Sequence, residues 1–224
     1  MDLNELIRTI AVSAVPVIFA ITLHEAAHGY VARYFGDTTA YVLGRVSLNP
    51  ARHIDPIGTI VLPLAMLLIS GGRFMFGWAK PVPVNFHALR NPKRDMLWVA
   101  LAGPAANLAM AIGWAAALKV AVLAGLRGAG FLVHVCVAGI SVNLVFMALN
   151  LLPILPLDGG RIVVSLLPKR LAWSFSRLEP LGLPILLGLV VLSAYGYNIL
   201  GALLYPIMSA SKSVIETLFR MYFI

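Results

Sequence analysis

One cysteine, Cys136, is all the chain has, so neither an internal disulfide nor a cluster of thiolate ligands can form. Charge is scarce as well. Only 12% of the 224 residues are Asp, Glu, Lys or Arg, against about 25% in ordinary soluble domains. With 60% hydrophobic residues and a mean hydropathy of +0.90, the composition excludes a soluble globular domain. Internal repeats, low-complexity tracts and an appended soluble domain are absent too. The start, "MDLNELIRT", sets Asp2 and Glu5 against Arg8 where a signal peptide has a basic n-region, and the apolar run behind it leads straight into His24 and His28, so the first hydrophobic segment is expected to be retained.

What is present is a set of long apolar runs. Stretches near 9–31, 96–118, 130–150 and 181–209 match the roughly 20 residues needed to cross about 30 Å of hydrocarbon. A fifth, 56–72, is uncharged but short and contains Pro63. Basic residues outnumber acidic ones by 17 to 9. Twelve of the 17 lie in three loops: Arg33, Arg45 and Arg52; Arg73, Lys80, Arg90, Lys93 and Arg94; Arg161, Lys169, Arg170 and Arg177. In a membrane protein this pattern reports topology rather than nucleic-acid binding, and the positive-inside rule puts all three loops on the cytoplasmic side. A full span at 56–72 would place the second loop outside, so a re-entrant element is expected there. The expected fold is an all-α polytopic membrane protein with four to five transmembrane helices plus a re-entrant or membrane-dipping element near 56–90. It is read as a single domain over 1–224, with a core at about 8–180 and a helical extension at 181–224. The N-terminus is expected outside. The last twenty residues fit either an amphipathic surface helix or a returning half-span.

Near the inner end of the first run stands "LHEAAHGYVA". His24 and His28 lie one helical turn apart and therefore on one face. At that spacing both imidazoles can bind one Zn²⁺, while Glu25 beside them stays free to take a proton from the attacking water. Hydrogen bonding across helices is the plainer alternative. It is disfavoured because a charge at membrane depth costs about 2.5–3.5 kcal/mol even on insertion scales. Such a site requires a third ligand. His53, His87, His134, Asp37, Asp55, Asp95, Asp158, Glu179 and Glu216 are available. Asp158 follows an apolar helix broken by Pro153 and Pro156, and Gly159 and Gly160 after it permit a tight turn. By spacing alone it is equally a ligand or an ordinary helix cap.

"HEAAH", then "AGPAAN" at 102–107, then "NLLPILPLDGG" at 150–160 resemble the site-2 proteases, intramembrane zinc metalloproteases. "GRVSLNPARHIDPIGT" and "GWAKPVPVN" are similar to segments of the compact prokaryotic members, which lack PDZ and CBS domains. The resemblance covers about residues 20–180. It implies one zinc per chain held by His24, His28 and Asp158, with Glu25 as general base. Asn150 is implied to polarise the scissile carbonyl, and Asn107 to lie near the site. Implied substrates are single-pass transmembrane proteins or peptides within the lipid bilayer of the cell membrane, cut toward the cytoplasmic side; no nucleic acid is involved.

Two features stay open at this level. His53 is either a functional residue, donating a hydrogen bond beside the metal site or helping to hold the zinc in an unprimed state, or an interfacial histidine bonded to Asp55 or a backbone carbonyl. Pro81, Val82, Pro83 and Val84 form either an extended edge beside which a substrate strand could lie, or a rigid loop. Three rival functions are a di-iron enzyme, for which five scattered histidines are too few, an inactive homologue that binds transmembrane partners, and a metal or proton transporter.

Overall fold

A computed structural model describes residues 3–61, 65, 80–126 and 130–221, and every structural statement below concerns these residues. They build an all-helical protein: α1 (Leu3–Tyr34), α2 (Thr39–Val42), α3 (Pro92–Leu123), α4 (Phe131–Asn150), α5 (Asp158–Leu166), α6 (Lys169–Ser176), α7 (Glu179–Ala194) and α8 (Ile199–Phe219). α1, α3 and α4 are long and apolar enough to cross a membrane, and α6 with α7, bent by 58°, makes a fourth span if the pair counts as one. The chain is thus a polytopic membrane protein, with three to four spans among the described residues against the four to five expected. About half of the re-entrant element expected near 56–90 lies outside the described residues; of the rest, a wide helical turn at Pro56–Val61, the segment 80–85 and a short helical turn at Phe86–Ala88 are seen.

Local chemistry sets the helix ends. Pro92 opens α3, where its missing N–H costs nothing, and buried Asp95 accepts the Asn91 N–H at 2.7 Å. Gly125, at φ +85°, closes the same helix in the left-handed region. The apolar run at 181–209 is not one helix, as expected, but two. Gly196 at φ +96° ends α7, and Ile199 starts α8.

Small residues let the spans approach closely, as apolar helices in lipid require. Ala111 and Ala115 of α3 are fully buried against Cys136, Ile140, Leu144 and Met147 of α4. The Trp114 ring covers Gly139, leaving no room for a Cβ there. α8 returns along this bundle, with Ile215 buried in the same cluster and Leu204 packed on Ala148 and Leu152. Arg8 Nη2 lies 3.1 Å from His134 Nε2, so α1 and α4 begin at the same end of the bundle. After α4 the chain turns sharply through Pro153 and Pro156. Gly159 and Gly160 then run against the backbone of residues 151–155, where any Cβ would collide with carbonyl groups.

Candidate metal centre

That turn delivers Asp158, the first residue of α5, to the face of α1 that carries His24 and His28. His24 Nε2 lies 3.3 Å from Asp158 Oδ2, His28 Nε2 lies 3.3 Å from Asp158 Oδ1, and the two Nε2 atoms are 3.1 Å apart. All three side chains are largely buried.

Hydrogen bonds behind the imidazoles decide what these distances mean. His28 Nδ1 is 2.7 Å from the Val99 carbonyl, which can only accept, so the proton sits on Nδ1. His24 Nδ1 is 2.6 Å from Asn107 Oδ1, with the same consequence. With the protons so placed, the rings in their neutral form aim bare Nε2 lone pairs at each other and at a carboxylate, and Asp158 Oδ2 is buried without a hydrogen-bond partner. Three acceptors converging without a donor call for a cation. Tetrahedral zinc fits the spacing: two bonds of about 2.0–2.1 Å place their ligand atoms about 3.3–3.4 Å apart. The buried donors on both Nδ1 atoms complete the arrangement usual for zinc-binding histidines.

α3 supplies the space. A Cβ on Gly103 would stand 2.5 Å from His28 Nε2 and 2.6 Å from His24 Nε2, so only glycine leaves the imidazole edges clear. One turn further, Asn107 is fully buried. "AGPAAN" thus has two functions at this site: its glycine makes room, and its asparagine sets a histidine.

Glu25, next in the chain to His24, stands outside the triangle of ligand atoms. Its Oε2 accepts the Val82 N–H at 2.7 Å. Val82 also rests on Gly29, one turn along α1, where an added Cβ would lie 3.3 Å from Val82 Cγ1. Residues 80–85 are thereby fastened across α1. Arg45 Nη2 donates to the carbonyls of Lys80 (2.8 Å) and Pro81 (3.2 Å), and buried Asp37 accepts the Asn85 N–H at 2.7 Å. These contacts hold residues 80–85 in place, and no strand partner lies beside them among the described residues. Pro81 is exposed, Val82 is buried, and Pro83 and Val84 are half-buried.

Two anticipated residues are not gathered into the ligand triangle. Asn150 Nδ2 donates back to Phe146 O at 3.0 Å, one turn up its own helix. His53 is buried with Nε2 2.8 Å from Ser47 O, and its carbonyl accepts the Lys80 N–H at 2.9 Å. Of its two readings, the structure gives the histidine bonded to a backbone carbonyl, tying the 44–53 loop to Lys80. Sequence reasoning missed Asn143, which accepts from Asn107 Nδ2 at 3.0 Å. An asparagine inside the apolar run 131–149 was the available signal. Missed too were the Val82 contact, which joins residues 57 positions apart, and the support from Asp37 and Arg45.

Comparison with known proteins agrees with this centre. The family model for peptidase family M50 matches residues 12–193. The Bacillus subtilis (strain 168) protein named "Putative zinc metalloprotease YwhC" is 36% identical over 213 residues, covering 93% of this chain and 91% of that protein. The proteins named "Putative zinc metalloprotease Rip2" are 31% identical over 150 residues in Mycolicibacterium smegmatis and 34% over 149 in Mycobacterium tuberculosis. Those matches cover 63% of this chain and 52% of the Rip2 proteins. No solved structure matches the chain. Motifs, buried ligand triangle and family match agree that the chain belongs to peptidase family M50, the site-2 protease family of zinc metalloproteases.

Proposed function

We propose that this protein is a zinc-dependent intramembrane endopeptidase, with one zinc per chain, cutting peptide bonds within or beside transmembrane segments of single-pass membrane proteins or peptides. One observation carries the reading: His24, His28 and Asp158 converge three acceptor atoms 3.1–3.3 Å apart, while the neighbouring Glu25 carboxylate is kept out of the set. His24, His28 and Asp158 would hold the zinc ion, which would supply Lewis acidity and lower the pKa of the water toward about 7. Glu25 takes the water's proton and returns it to the leaving amine. Val82 fixes one oxygen of that carboxylate and leaves the other for proton transfer. Asn150 spends one amide hydrogen on Phe146 O. Its second hydrogen is the donor for the scissile carbonyl as charge develops there.

A helical substrate hides its amides in its own hydrogen bonds, so it must unwind locally to be cut. The extended chain would lie beside residues 80–85, next to the base they contact. The three basic loops support an orientation in the cell membrane with the N-terminus outside and the site toward the cytoplasm. The test is cleavage of a purified transmembrane substrate by wild type and Glu25→Gln. The variant should hold zinc normally and cut at least about 100-fold more slowly, as expected for loss of a general base. Equal rates would refute the mechanism.

A further inference from the structure

The two metal-facing histidines are set in different ways. His28 hydrogen-bonds to a backbone carbonyl, so its proton position is fixed outright. His24 hydrogen-bonds to an amide, and an amide can present either oxygen or NH₂. Were Asn107 turned over, its NH₂ would face His24 Nδ1. The ring proton would then move to Nε2, the atom that must keep a lone pair to bind metal. Something has to hold Asn107 in the productive sense.

α4 provides it. Asn107 Nδ2 lies 3.0 Å from Asn143 Oδ1 and 3.4 Å from Ala20 O; the second contact is beyond the usual range for N–H···O. Asn143 is an amide too, but its Nδ2 donates at 2.8 Å to Gly139 O, one turn back. A carbonyl can only accept, so the series has one consistent direction. Gly139 O accepts from Asn143, Asn143 from Asn107, and Asn107 from His24. Reversing Asn143 would set two NH₂ groups against each other and two oxygens against each other. Both asparagines are fully buried, so water is not at hand to substitute. Burying an amide in an apolar span is unfavourable unless it is hydrogen-bonded, and Asn143 satisfies its own by linking α4 through α3 to α1.

We propose that Asn143 is a positioning residue for the metal centre: through Asn107 it holds His24 in the tautomer whose Nε2 lone pair faces Asp158. The proposal rests on His24, His28 and Asp158 being the zinc site. Its test is the Zn²⁺ dissociation constant of the full-length protein in detergent, measured by competition with a chelating dye for wild type, Asn143→Leu and Asn143→Asp. Leucine matches the volume and removes the acceptor, so Zn²⁺ binding should weaken 10- to 100-fold, the usual cost of losing such a partner. Aspartic acid, neutral at this depth, still accepts from Asn107 and donates to Gly139 O, and should bind within threefold of wild type. Wild-type affinity in Asn143→Leu, or equal weakening in both variants, would overturn the proposal while leaving the site intact. No zinc binding by wild type would sink the site and the proposal together. If Asn143→Leu does not fold, ¹⁵N-histidine spectra of zinc-free wild type decide, with His24 assigned by its loss in His24→Ala. The Nδ1–H form is expected, and the Nε2–H form would overturn the proposal.

Discussion

Val82 reaches across 57 residues of sequence to donate its backbone N–H to Glu25 Oε2 at 2.7 Å. The contact aims the carboxylate, because a main-chain donor in a pinned loop cannot rotate away as a side chain can. It depends on Gly29 as well: a Cβ there would stand 2.9 Å from Val46 Cγ2 and crowd Val82. Loop and helix therefore share responsibility for where the base points.

Val82→Pro removes that donor while keeping an apolar side chain. A hydrogen bond to a charged group contributes about 1.5–3 kcal/mol. Cleavage should fall about 10-fold or more, with zinc content unchanged because no ligand is touched. Wild-type rates at full zinc occupancy would show that Glu25 needs no such hold.

Gly103→Ala is the smallest change that attacks the centre itself. Its methyl would stand within 2.6 Å of both Nε2 atoms, and neither ring can withdraw without breaking its bond to Val99 O or Asn107 Oδ1. Zinc content after purification should drop below one-tenth of wild type by elemental analysis. Full occupancy in the variant would mean that α3 yields more readily than its packing implies.

How far the site was legible in the sequence depended on how local each part is. His24, Glu25 and His28 lie within one turn of one helix, so helical periodicity alone groups them. Asp158 was ambiguous by spacing and became a ligand candidate through its motif, because what brings it in is the backbone path through 151–160. The spans were legible from length and apolarity. The break at Gly196 lies inside a run whose apolarity reads as one span, although "SAYGYN" carries a helix-ending glycine. Contacts of Val82, Asp37, Arg45 and Asn143 pair single residues across the fold, and no period or spacing encodes them.

Asp37 shows what such a hidden residue contributes. Its Oδ1 accepts the Thr39 N–H at 2.9 Å and its Oδ2 the Asn85 N–H at 2.7 Å, with 1% of the residue exposed. Asp37→Ala removes the acceptor of two part-buried N–H groups, and a hydrogen bond to a charged group contributes about 1.5–3 kcal/mol. It should lower the thermal unfolding midpoint in detergent and slow cleavage, since the loop that contacts Glu25 loses an anchor. Asp37→Asn keeps one acceptor oxygen and should lose roughly half as much stability. A fall in stability with cleavage unaffected would separate the anchor from the base.

Zinc removal should destabilise the whole bundle, because the ligands come from α1 and α5 and their supports from α3 and α4. A ligand that binds only the folded state adds RT ln(1 + [L]/Kd), about 4 kcal/mol at a thousandfold excess over Kd. Chelation should therefore lower the unfolding midpoint of wild type, and added Zn²⁺ should restore it. Asp158→Asn keeps the shape of the third ligand but removes its charge, so its midpoint should respond much less to the same Zn²⁺ addition. His134→Gln, at the far end of the bundle beside Arg8, should respond like wild type. An equal zinc response in Asp158→Asn and wild type would mean that the metal stabilising the fold is bound elsewhere, and the triangle of His24, His28 and Asp158 would lose its standing as the metal centre.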